Sequence, residues 1–311
     1  MSRIHDALKR AEQERATSTG THVDPAFDQP QLQNEGPRES MPSLPPSGAT
    51  MMTNMATGLN YEALVARCPQ AEWSPDPRTM LFFQEDDSRA GAEEFRTLRS
   101  RLYQIREKMP LKRLLVTSAL PKEGKSFVAA NLAQVMVRQH GRRALLIDAD
   151  LRNPGMHRHL GAAQSPGLAE YLLGECDEFA ALQRSSMENL FFLPAGRSVP
   201  SAPELLANGR LKLFLQRIEP LFDWVILDSS PVIPVSDATL VASSCDGILM
   251  VVRSNATPSD LARRAREEFP DKLLLGVVLN GASGEHARSK YYYGEAVNSP
   301  VSYTHLTLPT N

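Results

Sequence analysis

The chain has 311 residues, of which 42% are hydrophobic and 23% are charged, and its formal net charge is −2. This length allows one large domain or two small ones, and the near-zero charge excludes a global basic field that would hold the chain on nucleic acid or an anionic membrane. The three cysteines are widely spaced and fit neither a disulfide framework nor a CxxC metal site. The apolar runs are far shorter than the roughly 20 residues that cross a bilayer. The charged N-terminus lacks the apolar middle of a secretory signal, so the chain is expected in the cytoplasm.

The first part of the chain predicts one short helix followed by a linker. Residues 1–15 place Ile4, Ala7, Leu8 and Ala11 on one face of an amphipathic helix. Its length suits either a frayed terminus or a helix that docks on a partner. Prolines then stand among Ser, Thr, Gln and Gly with almost no periodic apolar pattern. Residues 16–77 are therefore predicted to be a disordered linker.

A folded domain is predicted over residues 78–285. It starts with a helix at 92–108, after which apolar strands and helical patterns alternate. This alternation, with continuous apolar strands, is typical of an α/β fold with a mostly parallel sheet and helices on both faces. Ligands bind such sheets beyond the carboxyl ends of the strands. The predicted strands are 113–117, 143–148, 190–194, 224–228, 247–252 and 274–279, and the further helices are 126–139, 202–218, 236–243 and 259–269.

A phosphate-binding loop is predicted between the first strand and its helix. Gly124, Lys125 and Ser126 match the end of the GxxxxGK[ST] pattern, in which backbone amides cradle phosphates, the lysine contacts the β- and γ-phosphates and the hydroxyl binds Mg²⁺. Ala119 stands in the place of the first glycine. A helix N-terminus adds a favourable dipole for an anion, so the strand-to-helix position favours ATP binding over a chance match. The predicted nucleotide-binding residues of this loop are Pro121, Lys122, Glu123, Gly124, Lys125, Ser126 and Phe127.

Acidic residues follow two further strands. Asp148 and Asp150 stand one residue apart at the end of the second strand, which fits a Mg²⁺–phosphate site better than a pair of turn or helix-capping aspartates. Asp228 follows four apolar residues, as a Walker B aspartate does, although a turn aspartate ahead of Pro231 is the alternative. Ser126, Asp150 and Asp228 are therefore the predicted Mg²⁺ ligands.

From about residue 92 to residue 293, the chain resembles the catalytic domain of the bacterial tyrosine kinases of capsule and exopolysaccharide synthesis. These are relatives of the septum-site and plasmid-partition P-loop ATPases. Residues 147–154 follow the family's strand-then-DxDxR motif, and Glu93, Arg96 and Arg99 match its E-x₂-R-x₂-R helix. The resemblance implies ring-like self-association through that helix. A solvated helix face with i,i+3 ion pairs is the alternative interpretation.

The resemblance also implies a role for each site residue. Lys125 neutralises charge on the phosphates, Asp150 helps to bind Mg²⁺, and Asp148 accepts the proton of the substrate tyrosine; these three are the expected catalytic residues. Asn280, after the last strand, is expected to contact adenine. Three consecutive tyrosines lie in a polar tail at 286–301, and the resemblance implies that they are phosphorylated. The alternative is an ordered tail whose tyrosines pack back on the domain. The expected phosphoacceptors are Tyr291, Tyr292 and Tyr293.

The function predicted from these residues is an ATP-dependent protein-tyrosine autokinase that regulates polysaccharide synthesis and export. The resemblance implies a separate membrane-embedded polysaccharide co-polymerase, which supplies an activating tail and recruits the chain to the inner face of the membrane; nucleic acid is not an expected partner. The alternatives are a partition- or septum-type ATPase switch and a nucleotide-ordered scaffold. The signature lysine of the ATPase switch would stand at position 120, where this chain has Leu120, which argues against that alternative. Residues 302–311 break with the preceding sequence and are treated as a candidate non-native end, so Tyr303 is left out of the acceptors.

Overall fold

The computed structural model describes residues 59–83, 89–270 and 274–282, together with the backbone of 305–309. Within these residues, eight strands form one sheet in the order β3-β4-β2-β5-β1-β6-β7-β8. The strands are β1 Arg113–Ser118, β2 Ala144–Asp148, β3 Gln183–Arg184, β4 Leu190–Leu193, β5 Trp224–Asp228, β6 Gly247–Arg253, β7 Leu274–Ala282 and β8 His305–Pro309.

All strand pairs are parallel except the one between the short edge strand β3 and β4. Every residue of β2 and β5 is buried, because a parallel sheet is covered on both faces and its central strands are apolar throughout. The predicted α/β fold is confirmed, and its six predicted strands all form. The parallel arrangement brings the carboxyl ends of β1, β2 and β5 to one edge of the sheet.

Helices cover both faces of the sheet, and alternate residues of each strand point to opposite faces. Leu115 packs in one hydrophobic cluster, whereas Leu114 and Val116 pack in the other. No helix in the described part of the chain is long and apolar enough to span a bilayer. The helices are α1 Tyr61–Arg67, α2 Ala92–Arg106, α3 Lys125–Val137, α4 Met156–Leu160, α5 Leu168–Leu173, α6 Glu178–Ala181, α7 Ala202–Ala207, α8 Arg210–Ile218, α9 Asp237–Ala242 and α10 Ser259–Glu267.

The folded region begins earlier than predicted, so the linker prediction for 16–77 is wrong over residues 59–77. Leu64 in α1 is fully buried in the first cluster, and Trp73 and Met80 are buried in the second. Between them the backbone crosses the edge strand β3, where Ala71 N–H donates to the Arg184 carbonyl at 3.2 Å. Tyr61, Leu64 and Cys68 have helical spacing over only two turns, which is a short signal directly after a proline-rich stretch. Residues 1–58, including the predicted N-terminal helix, lie outside the described residues.

The single helix predicted at 202–218 is two helices, α7 and α8. Gly209 separates them with a left-handed φ of 80°, a conformation that glycine adopts without steric cost. The Asn208 side chain then accepts a hydrogen bond from Arg210 N–H at 2.9 Å. This bond satisfies one of the free amides at the start of α8, so the break is locally stabilised.

Candidate active site

Two buried aspartates face each other across neighbouring strands at the carboxyl edge of the sheet. Asp148 at the end of β2 is the register partner of Asp228 at the end of β5. Both residues are only 1% exposed. The strand β1, which leads into the phosphate loop, pairs with the other side of β5. The sheet order β2-β5-β1 therefore brings together three segments that are far apart in sequence.

The phosphate loop takes its shape from two residues with left-handed backbone conformations. Lys122 has a φ of 66° and Gly124 a φ of 95°. A Cβ atom added to Gly124 would lie 2.0 Å from Nδ2 of Asn280, so this position requires glycine for space as well as for conformation. Ala119, in the place of the first glycine of the pattern, is fully buried. The helix α3 begins at Lys125, directly after the loop.

Lys125 lies among the carboxylates of the site. Its Nζ is 3.3 Å from Oδ2 of Asp150 and 3.9 Å from Oδ2 of Asp228. The Ser126 hydroxyl donates to the same Asp228 oxygen at 2.5 Å. Burial by itself lowers the pKa of Lys125, but Asp228, Asp150 and Asp148 together raise it above its ordinary value. The lysine is therefore a fixed positive charge within a buried acidic cluster.

Asp148 has the environment of a carboxylate that can take up a proton. Burial, and then the neighbouring charge of Asp228, raise its pKa to about 7. Its Oδ1 accepts from Asp150 N–H at 3.1 Å, and its Oδ2 accepts from Gly155 and Met156 N–H at 3.3 and 3.1 Å. A carboxylate has about four acceptor positions, so one position on Oδ1 stays available.

The site fits a hydrated Mg²⁺ ion held together with phosphate oxygens. Oδ1 of Asp228 is buried and has no protein hydrogen-bond partner, and a buried oxygen of this kind calls for a water or an ion. Within the described residues, no group of three His, Cys, Asp or Glu side chains could hold a metal by itself. Mg²⁺ typically binds one or two carboxylates and takes its other ligands from water and substrate phosphates. Ser126, Asp150 and Asp228 are placed to supply the protein part of such a site.

Asp237 is a site residue that the sequence analysis missed. Its carboxylate accepts two hydrogen bonds from the Arg152 guanidinium, at 2.7 and 3.2 Å. Arg152 is the arginine of the DxDxR motif, so this pair holds the segment that carries Asp148 and Asp150. Asp237 lies 85 residues further along the chain, and no local sequence signal connects the two residues.

Asn280 also contacts the phosphate loop. Its Nδ2 donates to the Glu123 carbonyl at 2.9 Å. This contact places the end of β7 against the loop. The predicted contact of Asn280 with adenine stays a prediction.

The predicted oligomer residues lie on α2. Arg96 pairs with Glu93 at 3.1 Å with i,i+3 spacing, and Arg99 donates to the Val135 carbonyl of α3 at 2.9 Å. The Glu93–Arg96 pair fits the alternative of a solvated helix face with i,i+3 ion pairs, whereas Arg99 holds α2 against α3; self-association stays a prediction. Tyr291, Tyr292 and Tyr293 lie outside the described residues.

A cavity of about 750 Å³ lies at the opposite edge of the sheet. Its lining includes Tyr61, Arg138, Arg143 and Asn189, which belong to α1, to the end of α3 and to the segments leading into β2 and β4. These segments mark the amino-terminal edge of the sheet. The cavity is therefore separate from the carboxylate cluster around Lys125.

A glycine-containing loop between a buried strand and a helix, a lysine at the helix start and aspartates on two neighbouring strands define a P-loop nucleotide-binding protein. Tyrosine-protein kinase YwqD of Bacillus subtilis strain 168 is 34% identical to this chain over 204 residues, which cover 65% of this chain and 86% of YwqD. The chain therefore belongs to the family of bacterial tyrosine-protein kinases, as its motifs predicted. No model of a known protein family matches the chain.

Other similar proteins agree with this assignment. The kinase domain of Escherichia coli tyrosine kinase ETK matches with a TM-score of 0.60 and 30% identity, over 69% of this chain and 84% of that domain. The chimerical protein CapA2B2 matches with a TM-score of 0.62 and 27% identity, over 71% of this chain and 98% of CapA2B2. The succinoglycan biosynthesis transport protein ExoP of Rhizobium meliloti strain 1021 is 37% identical to this chain over 194 residues. These residues cover 61% of this chain and 25% of ExoP.

Proposed function

We propose that this chain transfers the γ-phosphate of ATP to tyrosines of its own kind and thereby regulates capsule or exopolysaccharide synthesis. The observation that carries the proposal is the buried cluster of Asp148, Asp150 and Asp228 around Lys125, directly beyond the phosphate loop. Phosphoryl transfer depends mainly on positioning and on charge stabilisation. This cluster supplies both kinds of group.

The phosphate loop and Lys125 bind the triphosphate in this proposal. The loop from Pro121 to Phe127 surrounds the phosphate oxygens, with backbone N–H groups from every residue except Pro121, and Lys125 exchanges its contacts with Asp150 and Asp228 for the β- and γ-phosphates. Ser126, Asp150 and Asp228 would hold Mg²⁺, which would supply positive charge next to the phosphates. Asn280 contacts the adenine.

Asp148 takes the proton from the substrate. A tyrosine hydroxyl has an ordinary pKa of about 10 and is a weak nucleophile at neutral pH. As the phenolic oxygen forms its bond to the γ-phosphorus, the bond to the β–γ bridging oxygen breaks, ADP leaves and the phenolic proton moves to Asp148. A positioned base of this kind contributes a factor on the order of 10² to 10⁴ in rate, and the free acceptor position on Oδ1 of Asp148 supports this role.

Tyr291, Tyr292 and Tyr293 are the proposed acceptors. The segment that carries them follows β7 in the sequence and is presented to the active site of a neighbour, in a ring that forms through Glu93, Arg96 and Arg99. The side chain of Glu93 is 77% exposed, which supports its access to a second copy.

A membrane partner is proposed because of the polysaccharide relatives. ExoP is named a biosynthesis transport protein, and this chain matches only a quarter of its length. The rest of such a system is proposed to be a separate membrane-embedded co-polymerase, whose cytoplasmic tail activates this chain and recruits it to the inner face of the membrane. The kinase itself acts in the cytoplasm.

The test is incubation of the purified chain with ATP and Mg²⁺, with and without the partner's tail, followed by mass spectrometry. Phosphate is expected on Tyr291, Tyr292 and Tyr293. Lys125→Met and Asp148→Asn are expected to abolish it, whereas Lys212→Met, at an exposed position of α8, is a matched control that should retain it. ATP turnover without phosphotyrosine would instead identify an ATPase switch, and nucleotide binding without turnover would identify a scaffold.

A further inference from the structure

The carboxylate of Glu123 is built into the phosphate loop as a buried structural acceptor. Glu123 is 3% exposed. Its Oε2 accepts from Leu120 N–H at 2.7 Å, across the turn of the loop. Its Oε1 contacts the hydroxyl of Thr257, 134 residues further along the chain. A buried carboxylate is costly unless its oxygens are hydrogen-bonded, and here both oxygens have a partner.

The direction of the Thr257 hydrogen bond follows from its second contact. The Thr257 Oγ1 accepts from Arg253 N–H at 3.1 Å. An amide N–H only donates and a hydroxyl has one proton. The proton of the Thr257 hydroxyl is therefore not used on Arg253, and the hydroxyl donates it to Oε1 of Glu123. The Thr257 side chain in this way connects the turn that follows β6 to the phosphate loop.

Two further side chains hold the same stretch of backbone. Arg253 donates to the Lys122 carbonyl at 3.2 Å, and Asn280 donates to the Glu123 carbonyl at 2.9 Å. The carbonyls of Lys122 and Glu123 are thus engaged on the side of β6 and β7. Lys122 has a φ of 66°, a conformation that a residue with a side chain keeps only when its surroundings hold it.

We propose that Thr257 is a positioning residue for nucleotide binding, because its hydroxyl holds Glu123 and with it the phosphate loop in the shape that binds phosphate. The proposal rests on the proposed nucleotide-binding function of this loop. Preorganising the loop lowers the ordering cost of binding, so loss of the Thr257 hydroxyl weakens the binding of ADP and ATP equally. Such a loss raises KM for ATP and leaves kcat nearly unchanged.

The experiment is calorimetric titration of ADP with Mg²⁺ into the full chain, for wild type, Thr257→Val and Thr257→Ser. The nearly isosteric Thr257→Val is expected to weaken ADP binding about tenfold, the value of one hydrogen bond to a charged group. Thr257→Ser keeps the hydroxyl and is expected to bind ADP within about twofold of wild type. Thr239→Val is the control. It removes a hydroxyl that donates to the Ser236 carbonyl at 2.6 Å at the start of α9, and it should bind ADP like wild type.

A double-mutant cycle with Glu123→Ala tests the contact itself. Because Glu123→Ala removes the acceptor of the Thr257 hydroxyl, Thr257→Val is expected to add little further loss in that background. Wild-type ADP affinity in Thr257→Val, equal losses in the Val and Ser variants, or additive losses in the cycle would each overturn the proposal. Failure of the wild type to bind ADP would overturn the proposed function instead.

Discussion

Arg152 and Asp237 form a bidentate ion pair at 2.7 and 3.2 Å between the DxDxR segment and the start of α9. The Asp237 side chain is 1% exposed, and that of Arg152 is 37% exposed. The pair joins the segment after β2 to the segment after β5. It therefore fixes the backbone that carries Asp148 and Asp150 relative to the strand that carries Asp228.

Asp237→Asn is expected to lower the autophosphorylation rate by a factor on the order of ten. The amide removes the charge and one acceptor oxygen, and supporting contacts of this kind typically change activity by about 10- to 100-fold. The rate should be measured at saturating ATP with the partner's tail present. Glu175→Gln is the matched control, since it weakens an exposed pair with Arg197, and exposed ion pairs contribute little. Equal rates for Asp237→Asn and wild type would contradict the positioning role.

Gly124→Ala is expected to abolish ADP binding in calorimetry. The added Cβ would lie 2.0 Å from Asn280 Nδ2, at a φ of 95°, so both the loop and Asn280 must move. Gly209→Ala is the matched control, because Gly209 has a φ of 80° but nothing within 4 Å of the added Cβ. This control should bind ADP normally and lose about 1 kcal/mol of stability. Normal ADP binding by Gly124→Ala would show that the loop shape is not required.

Leu64→Ala is expected to lower the free energy of unfolding by about 2 to 5 kcal/mol, as truncation of a buried leucine does. Leu64 is 0% exposed and lies in the hydrophobic cluster that also contains Leu145. Urea unfolding should show this loss. Val65→Ala, at a residue 36% exposed on the same helix, should change stability by less than about 1 kcal/mol. Similar stabilities for the two variants would mean that α1 is not part of the folded domain.

Asp246 should make stability depend on pH at acidic values. Its carboxylate accepts from Lys112 and Arg113 N–H at 3.0 and 2.8 Å and from the Arg113 guanidinium at 2.6 Å. Burial opposes ionisation, but the bonds from Arg113 and then Lys112 hold the pKa of Asp246 below its ordinary value. A carboxylate whose pKa is depressed in the folded state stabilises the fold at pH values above its unfolded-state pKa of about 3.9. This stabilisation is lost as the pH falls through the folded-state pKa.

Asp246→Asn is therefore expected to cost about 1 to 3 kcal/mol at pH 7. The difference from wild type should shrink as the pH falls below about 4. Urea unfolding between pH 7 and pH 3 measures it, and Glu267→Gln, at an exposed position of α10, is the control with no expected change. A difference that stays constant down to pH 3 would show that the ionised carboxylate of Asp246 is not what stabilises the start of β1.

The residue pattern alone was enough to predict the six parallel strands, the phosphate loop and the three aspartates. Strands such as β2 and β5 are buried on both faces, so each appears as a continuous apolar run that ends at its functional residue. The sequence already predicts that Lys125, Asp148 and Asp228 lie together, because parallel strands all present their carboxyl ends at one edge. These features depend on local pattern and on one rule of sheet geometry.

Only the tertiary structure placed α1 and the following segment across β3, and only it paired Arg152 with Asp237 and Glu123 with Thr257. Leu64 stands in a seven-residue helix with helical apolar spacing to Tyr61 and Cys68, and Met80 begins a run of four apolar residues, but signals this short do not show which face of the sheet each residue packs against. The two pairs join residues 85 and 134 positions apart. Contacts of this kind form between side chains that are brought together by the packing of separate elements, and that packing is a property of the whole fold.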